Sequence, residues 1–156
     1  MVFTEKGTVE DYIIQELSKE LGWTFVGQAD MEAKRGEDFG EPLVISDVKA
    51  ALRRINEADL SEADLDFIIV TLITIPTTID GIRRFIDFLR NGIVVPIEKE
   101  KKEKVIKLID FNDLNANEFV VTNQYKVQGI RGNIRADIVL LVNGIPLALI
   151  EAKNPA

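Results

Sequence analysis

The chain of 156 residues contains no histidine and no cysteine. Without histidine, serine–histidine triads, histidine general bases and nearly all zinc sites are excluded. Any catalysis must therefore depend on carboxylates, lysine or a bound metal ion. The lack of cysteine fits a reducing compartment, and no secretory leader is recognisable, so we expect a cytoplasmic protein.

Long apolar runs and excess basic charge are also lacking. The apolar stretch over residues 67–76 is too short to span a membrane and contains threonines. The net charge of −7 argues against a protein that binds DNA by bulk attraction. Basic residues nevertheless outnumber acidic ones from residue 121 onward, where Lys126, Arg131 and Arg135 could follow a phosphate backbone. A solvated loop is the alternative interpretation of these residues.

The length is that of one domain, and the two halves differ in pattern. Residues 1–92 have mainly helical periodicity, and residues 93–156 have mainly strand-like apolar runs. We therefore expect an α/β fold, with a mixed sheet flanked by helices and a helical N-terminal half. The predicted strands cover residues 93–96, 105–111, 118–128, 136–142 and 147–153.

Capping residues and glycines mark the predicted helices. Thr8 is the expected cap of a first helix that ends near Leu21. Ser46 opens a second helix, and Ser61 with Asp64 resembles a capping box for a third. A fourth helix covers residues 80–90. Residues 23–26 form a short apolar piece, and the charged, glycine-containing residues 32–41 are expected to form a loop.

The most informative segment is near the C-terminal end of the chain. Two apolar runs, residues 138–142 and 147–150, flank an Asn-Gly pair, which is a strong hairpin signal. Asp137 precedes the first run, and Glu151 and Lys153 follow the second. Strands that are apolar on both faces are usually buried and central. Because charges beside such strands are costly unless they are paired or bind a metal, these three residues form a candidate site.

The register of this hairpin decides whether the two carboxylates meet. A two-residue turn followed by regular pairing would place Asp137 opposite Ile150, on the other face from Glu151. One bulge, or a longer loop, would place Asp137 opposite Glu151 instead. Pro146 cannot donate to a strand ladder and favours an irregular start to the second strand. We therefore predict a bulge or a longer loop.

Two carboxylates and an ammonium at one point would suit a hard cation such as Mg²⁺, with Mn²⁺ as a substitute. Asp137 and Glu151 would bind the ion, and the backbone carbonyl of Ala152 could supply a third oxygen. Lys153 would face the attacking water and the phosphate, which implies hydrolysis of a phosphodiester. The alternative, which the spacing alone does not exclude, is a structural ion pair at the end of a hairpin.

The segment RADIVLLVNGIPLALIEAKNP, residues 135–155, resembles the nuclease signature of the type I restriction enzyme R subunit, within the PD-(D/E)xK nuclease superfamily. Residues 108–111 and 118–127 resemble the strands that lead to that site. Residues 8–23 resemble the family's first helix and the turn after it. The resemblance implies a restriction-endonuclease-like fold with Asp137 and Glu151 as metal ligands and Lys153 as the catalytic lysine.

Two further residues gain candidate roles from the resemblance. Glu10 matches a first-helix glutamate that often faces the same site, so it is a candidate fourth metal ligand. A first-turn glutamate that is favoured by the helix dipole is the alternative. Arg135 is interpreted as a phosphate contact and not as a catalytic residue.

The resemblance implies a magnesium-dependent endonuclease that cuts double-stranded DNA within a complex with modification and specificity subunits. ATP would act only through a motor domain, and this chain contains no G-x-x-x-x-G-K-[ST] loop. The glutamine and tyrosine helix motif of related nucleases is also not present after Lys153. We therefore expect a single nuclease-like domain over residues 1–156 that is an N-terminal fragment of a longer subunit. The alternatives are a docking module with a vestigial site and an independent nuclease of the same superfamily.

Overall fold

The computed structural model describes residues 5–36 and 39–153 and has an α/β fold with a helical N-terminal half, as the sequence predicts. The chain forms two compact units, each of which has its own sheet. The first unit comprises Met1–Val44 and Glu118–Ala156, and the second comprises Ile45–Asn117. The helices are α1 Glu5–Lys19, α2 Gln28–Arg35, α3 Ile45–Ile55, α4 Glu62–Ile73 and α5 Ile79–Asn91. The strands are β1 Thr24–Val26, β2 Ile93–Ile97, β3 Lys102–Ile106, β4 Phe119–Gly129, β5 Gly132–Val142 and β6 Ile145–Ile150.

The first unit is built on a mixed four-stranded sheet in the order β1-β4-β5-β6. β1 is parallel to β4, whereas β4, β5 and β6 pair antiparallel. The long β4–β5 ladder extends from the pair Phe119–Val142 to the pair Gly129–Gly132. Strands β4 and β5 are therefore central, and β6 lies at an edge of this sheet.

Helices cover both faces of this sheet. On one face, Ile14 of α1 packs with Val121 and Ile138. On the other face, Met31 of α2 packs with a cluster that includes Val120 and Val139. Because both faces of the sheet are covered, side chains of β5 that point to either face can be buried, which explains why β5 is apolar along most of its length.

The second unit combines helices α3, α4 and α5 with the antiparallel β2–β3 hairpin. Its buried side chains include Leu52, Leu65 and Ile68, and β2 alternates between buried and exposed positions. The charged residues after β2 form the turn of this hairpin. The predicted capping box is confirmed: Ser61 caps α4, and its side chain and that of Asp64 each accept the other's backbone N–H.

The prediction of a loop over residues 32–41 is wrong for its first four residues, because α2 extends to Arg35. Residues 37–38 lie outside the described part of the chain. The helix follows Gly27 and ends at Gly36, whose φ of 68° suits glycine. Gln28 bonds to Glu32 one turn later, at 2.9 Å. Met31, only 2% exposed, anchors the helix to the sheet. One buried contact therefore outweighs a polar composition that favours a loop.

Several predicted boundaries also differ from the structure. The first helix begins at Glu5, so Thr8 lies inside it and is not its cap. The helix predicted over residues 80–90 begins at Ile79, with Thr78 as its cap. None of the described helices has the length and apolar character that crossing a membrane requires.

We predict that Ser61→Ala destabilises the protein by about 1 kcal/mol, because it removes the oxygen that accepts the Asp64 backbone N–H at 3.2 Å. Chemical denaturation measures this loss. Ser46→Ala is the matched control, because Ser46 is exposed in the first turn of α3, and it should change stability by less than about 0.5 kcal/mol. Equal effects of the two substitutions would contradict the assignment of Ser61 as a stabilising cap.

Candidate active site

The β5–β6 hairpin turns in two residues, Asn143 and Gly144. Both have positive φ, 52° and 77°, which is the pattern of a type I′ turn. Val142 therefore pairs with Ile145. The Asn143 side chain accepts a hydrogen bond from the Glu118 backbone N–H at 2.8 Å and so fixes the turn beside the start of β4.

A bulge follows this tight turn, as the sequence analysis predicted. Leu141 pairs with Pro146, but Leu140 pairs with Ala148, so Leu147 is the extra residue. Beyond the bulge the register is regular as far as the pair Ile138–Ile150. The next residue of β5 is Asp137, and Glu151 follows the end of β6, so this register, continued by one residue, would place the two carboxylates opposite each other.

The three predicted catalytic residues differ in burial. Asp137 is 3% exposed, and its carboxylate oxygen Oδ2 accepts a hydrogen bond from the Ala152 backbone N–H at 2.9 Å. Glu151 and Lys153 are exposed and follow the end of β6, which stops at Ile150 and not at residue 153. The expectation of two buried central strands holds for β5 but is wrong for β6. This edge strand leaves Leu149 63% exposed, so the site opens to solvent on the β6 side.

Glu10 is attached to the middle of β4 through Gln124. Glu10 is 8% exposed, and its carboxylate oxygen Oε2 accepts a hydrogen bond from the Gln124 side chain at 3.0 Å. On β4, Gln124 lies between two residues that pair with Ile138 and Ala136. It is therefore the residue opposite Asp137.

Sequence reasoning missed Gln124. The φ of Gln124 is 53°, which is unusual for a residue other than glycine, and no sequence pattern predicts this backbone conformation. The available signal was that the polar residues Asn123 and Gln124 interrupt the apolar alternation of β4 opposite Asp137. Recognising that position required the register of the β4–β5 pair, which the structure supplies.

The groups that the sequence analysis assigned to a metal site are all oxygen donors: the carboxylates of Asp137, Glu151 and Glu10, and the backbone carbonyl of Ala152. Within residues 5–36 and 39–153, no group of three or more acidic side chains is close enough to hold a metal ion. Mg²⁺ usually binds one or two protein carboxylates and keeps several waters, so the pair Asp137 and Glu151 fits its chemistry.

The predicted basic strip is only partly available to a ligand. Lys126 forms an ion pair with Glu32 at 3.2 Å and lies over the Phe39 ring. Hydrogen bonds from Gln28 and then Lys126 hold the pKa of Glu32 below its usual range. Arg131 lies in the two-residue turn between β4 and β5, and Arg135 is exposed on β5. These two arginines are open to solvent.

We predict that Asp137→Ala accelerates hydrogen exchange at the Ala152 amide about tenfold, because the substitution removes the acceptor of that N–H group. Exchange measured by NMR checks this. The control is Asp11→Ala, which removes an exposed carboxylate from α1 and should leave exchange at Ala152 unchanged. Unaltered exchange in Asp137→Ala would show that this hydrogen bond does not protect the Ala152 amide.

Comparison with known proteins gives a consistent result. The family model described as "Type I restriction enzyme R protein N terminus" matches residues 2–156. The type I restriction enzyme HindI endonuclease subunit of Haemophilus influenzae is 29% identical over 156 residues, covering 94% of this chain and 15% of that protein. A Methanocaldococcus jannaschii protein, whose name assigns it to the type I restriction enzyme MjaIXP as endonuclease subunit, is 31% identical over 158 residues. That match covers 94% of this chain and 15% of the relative, so the chain spans a small part of the length of these proteins. With its whole length matched by the family model, the chain belongs to the family of type I restriction enzyme R protein N termini.

Proposed function

We propose that this chain is the magnesium-dependent endonuclease region of a type I restriction R subunit and hydrolyses phosphodiesters of double-stranded DNA. The observation that carries the proposal is the bulge at Leu147, because its register, continued by one residue past the pair Ile138–Ile150, would place Asp137 opposite Glu151. A regular hairpin with the same turn would place these carboxylates on opposite faces. An edge strand that served only for apolar packing would not require Asp137 and Glu151 to lie on the same face of the sheet.

The residues of the proposed site have separate roles. Asp137 and Glu151 would hold Mg²⁺, with the Ala152 carbonyl as a further oxygen ligand. The bound ion would supply Lewis-acid stabilisation of charge at the phosphate. Lys153, exposed two residues beyond Glu151, would orient the attacking water and help to remove its proton, or neutralise charge on the phosphate oxygens.

DNA contact would come from the β4–β5 hairpin beside the site. Arg131 and Arg135 are exposed, and Lys126 pairs with Arg135 across the ladder. Lys126 also forms its ion pair with Glu32, so it would contribute less to phosphate binding. Contacts of this kind position DNA without reading its sequence. The recognition of a DNA site would then depend on specificity and modification subunits, and ATP would act through a motor outside this chain.

We predict that Asp137→Ala and Glu151→Ala each weaken Mn²⁺ binding to this chain by at least about tenfold. In the full restriction complex, each should abolish DNA cleavage while ATP hydrolysis continues. Lys153→Ala should retain Mn²⁺ and reduce cleavage by about a hundredfold or more. Anomalous diffraction from crystals soaked in Mn²⁺ locates the ion, and calorimetry measures its affinity.

The matched controls for this experiment are Glu16→Ala and Lys19→Ala, which change exposed residues on α1. They should leave both Mn²⁺ binding and cleavage unchanged. An ion held elsewhere, or normal cleavage by Lys153→Ala, would contradict the assigned roles.

Electrostatic contact with DNA gives a separate prediction. Arg131→Ala and Arg135→Ala should each weaken DNA binding and reduce the slope of log K against log salt by about one. Lys126→Ala should have a smaller effect, because Lys126 is already paired with Glu32. Fluorescence anisotropy over a salt series measures all three variants. A slope that none of them changes would place the DNA contact elsewhere.

One observation favours a second candidate function, a docking module with a vestigial site. Within the part of the chain that the structure describes, no group of three or more acidic side chains is arranged to hold a metal ion. The Mn²⁺ experiment separates the two candidates, because a vestigial site would bind the ion weakly and without dependence on Asp137 and Glu151.

A further inference from the structure

We propose that helix α5, Ile79–Asn91, is a self-association surface through which two copies of this chain pair as antiparallel helices. The inference concerns the second unit and does not rest on the proposed function. Three features of the helix support it: an apolar stripe that the unit leaves exposed, the spacing of that stripe, and a row of charges beside the stripe that is complementary to its own reverse.

Helix α5 is amphipathic but packs little of its apolar side against its own unit. All 13 of its residues are described, and among them only Gly81 is buried. Ile79, Ile82 and Ile86 are 70%, 58% and 42% exposed. Helix α3 of the same unit, by contrast, buries four of its side chains. An amphipathic helix normally turns its apolar stripe toward a core, so within the described unit the stripe of α5 lacks the cover that its pattern predicts.

Gly81 shows which side of α5 faces its own unit. A Cβ atom at Gly81 would clash with the backbone carbonyl of Pro76, in the connection from α4, so the chain packs closely there. Successive residues of a helix are about 100° apart, which places Ile79, Ile82 and Ile86 roughly 100–160° around the helix from Gly81. The three isoleucines therefore point away from this contact and are accessible to another molecule.

The spacing of the stripe is that of a helix-pairing seam. Ile79, Ile82, Ile86 and Leu89 follow one another at intervals of three, four and three residues, which are the a and d positions of a heptad. Leu89 is partly buried, so the three isoleucines form the open part of the seam. A seam of this kind is buried most completely by a second helix with the same apolar spacing.

The charges beside the seam indicate that the second helix is another α5. On one flank of the stripe, within about 80° of one another around the helix, lie an acid, a base, an acid and a base: Asp80, Arg83, Asp87 and Arg90. In an antiparallel two-fold pair the same flank of both helices meets. The reversed order then places Asp80 against Arg90 of the second copy and Arg83 against Asp87 of the second copy. In a parallel pair this flank would face the other side of the second helix, without these charge matches.

The size of the contact sets the expected affinity. Two copies of one surface make a two-fold interface, which is the commonest kind in soluble oligomers. A helix of this length extends over about 20 Å, so the contact is smaller than the roughly 800 Å² per partner of a standard interface. We therefore expect a reversible dimer with a Kd on the order of tens to hundreds of micromolar.

The test uses two double variants of the full 156-residue chain. Asp80→Lys with Asp87→Lys makes the charged row basic throughout, and Arg83→Glu with Arg90→Glu makes it acidic throughout. Each variant alone should dimerise at least about tenfold more weakly than the unsubstituted chain, because like charges would then meet. An equimolar mixture should associate at least as tightly as the unsubstituted chain, because every charge would meet its opposite. Sedimentation velocity over a concentration series up to about 1 mM measures all of these samples.

The matched control is Asp11→Lys with Glu16→Lys, which makes the same change in net charge at exposed positions of α1. This control should dimerise like the unsubstituted chain. Ile82→Ser with Ile86→Ser should abolish dimerisation with little change in Tm, because both isoleucines are exposed. A variant that simply failed to fold could not recover association on mixing, so the mixture separates lost pairing from lost folding.

Two outcomes would overturn the inference. The first is an unsubstituted chain that remains monomeric up to about 1 mM. The second is a dimer whose affinity is the same in the charge variants and does not increase when they are mixed, because its interface would then lie elsewhere. These measurements require neither metal nor DNA, so a failure here leaves the proposed function standing, and a failure of Mn²⁺ binding leaves this inference standing.

Discussion

The antiparallel pairing of β5 with its two neighbours is the constraint on which the rest of the first unit depends. Its pairing with β4 sets Gln124 against Asp137, and its bulged pairing with β6, if continued one residue beyond Ile138–Ile150, would bring Glu151 opposite Asp137 as well. Because side chains alternate along a strand, a shift of one residue in either ladder would move a carboxylate to the other face. The type I′ turn at Asn143 fixes one of these registers, and its bonds to Glu118 connect it to the other strand.

Sequence patterns were sufficient for much of this arrangement. The Asn-Gly pair indicated the hairpin, and the separation of Asp137 from Glu151 required a bulge that the structure contains at Leu147. The capping box at Ser61 was equally direct, because its two side chains are close in sequence. These features could be predicted because each depends on local chemistry or on the two-residue period of a strand.

The errors arose where tertiary contacts override composition. The charged segment of α2 was expected to be a loop, but Met31 packs into the core and stabilises a helix. The run that forms β6 is apolar on both faces, which suggested a central strand, yet β6 lies at the edge of the described sheet. The position of Glu10 beside Gln124 joins residues 114 apart in the chain, and local pattern carries no information about contacts at that separation.

The first unit buries two carboxylates although the chain as a whole is acidic. Asp137 and Glu10 are both nearly buried in a chain whose net charge is already −7, and burying a carboxylate is costly unless the charge is compensated. The Ala152 amide donates to Asp137 and the Gln124 amide donates to Glu10. Each of these amides satisfies one carboxylate oxygen. Under the proposed function, a divalent ion bound between Asp137 and exposed Glu151 would compensate part of the negative charge that the fold buries.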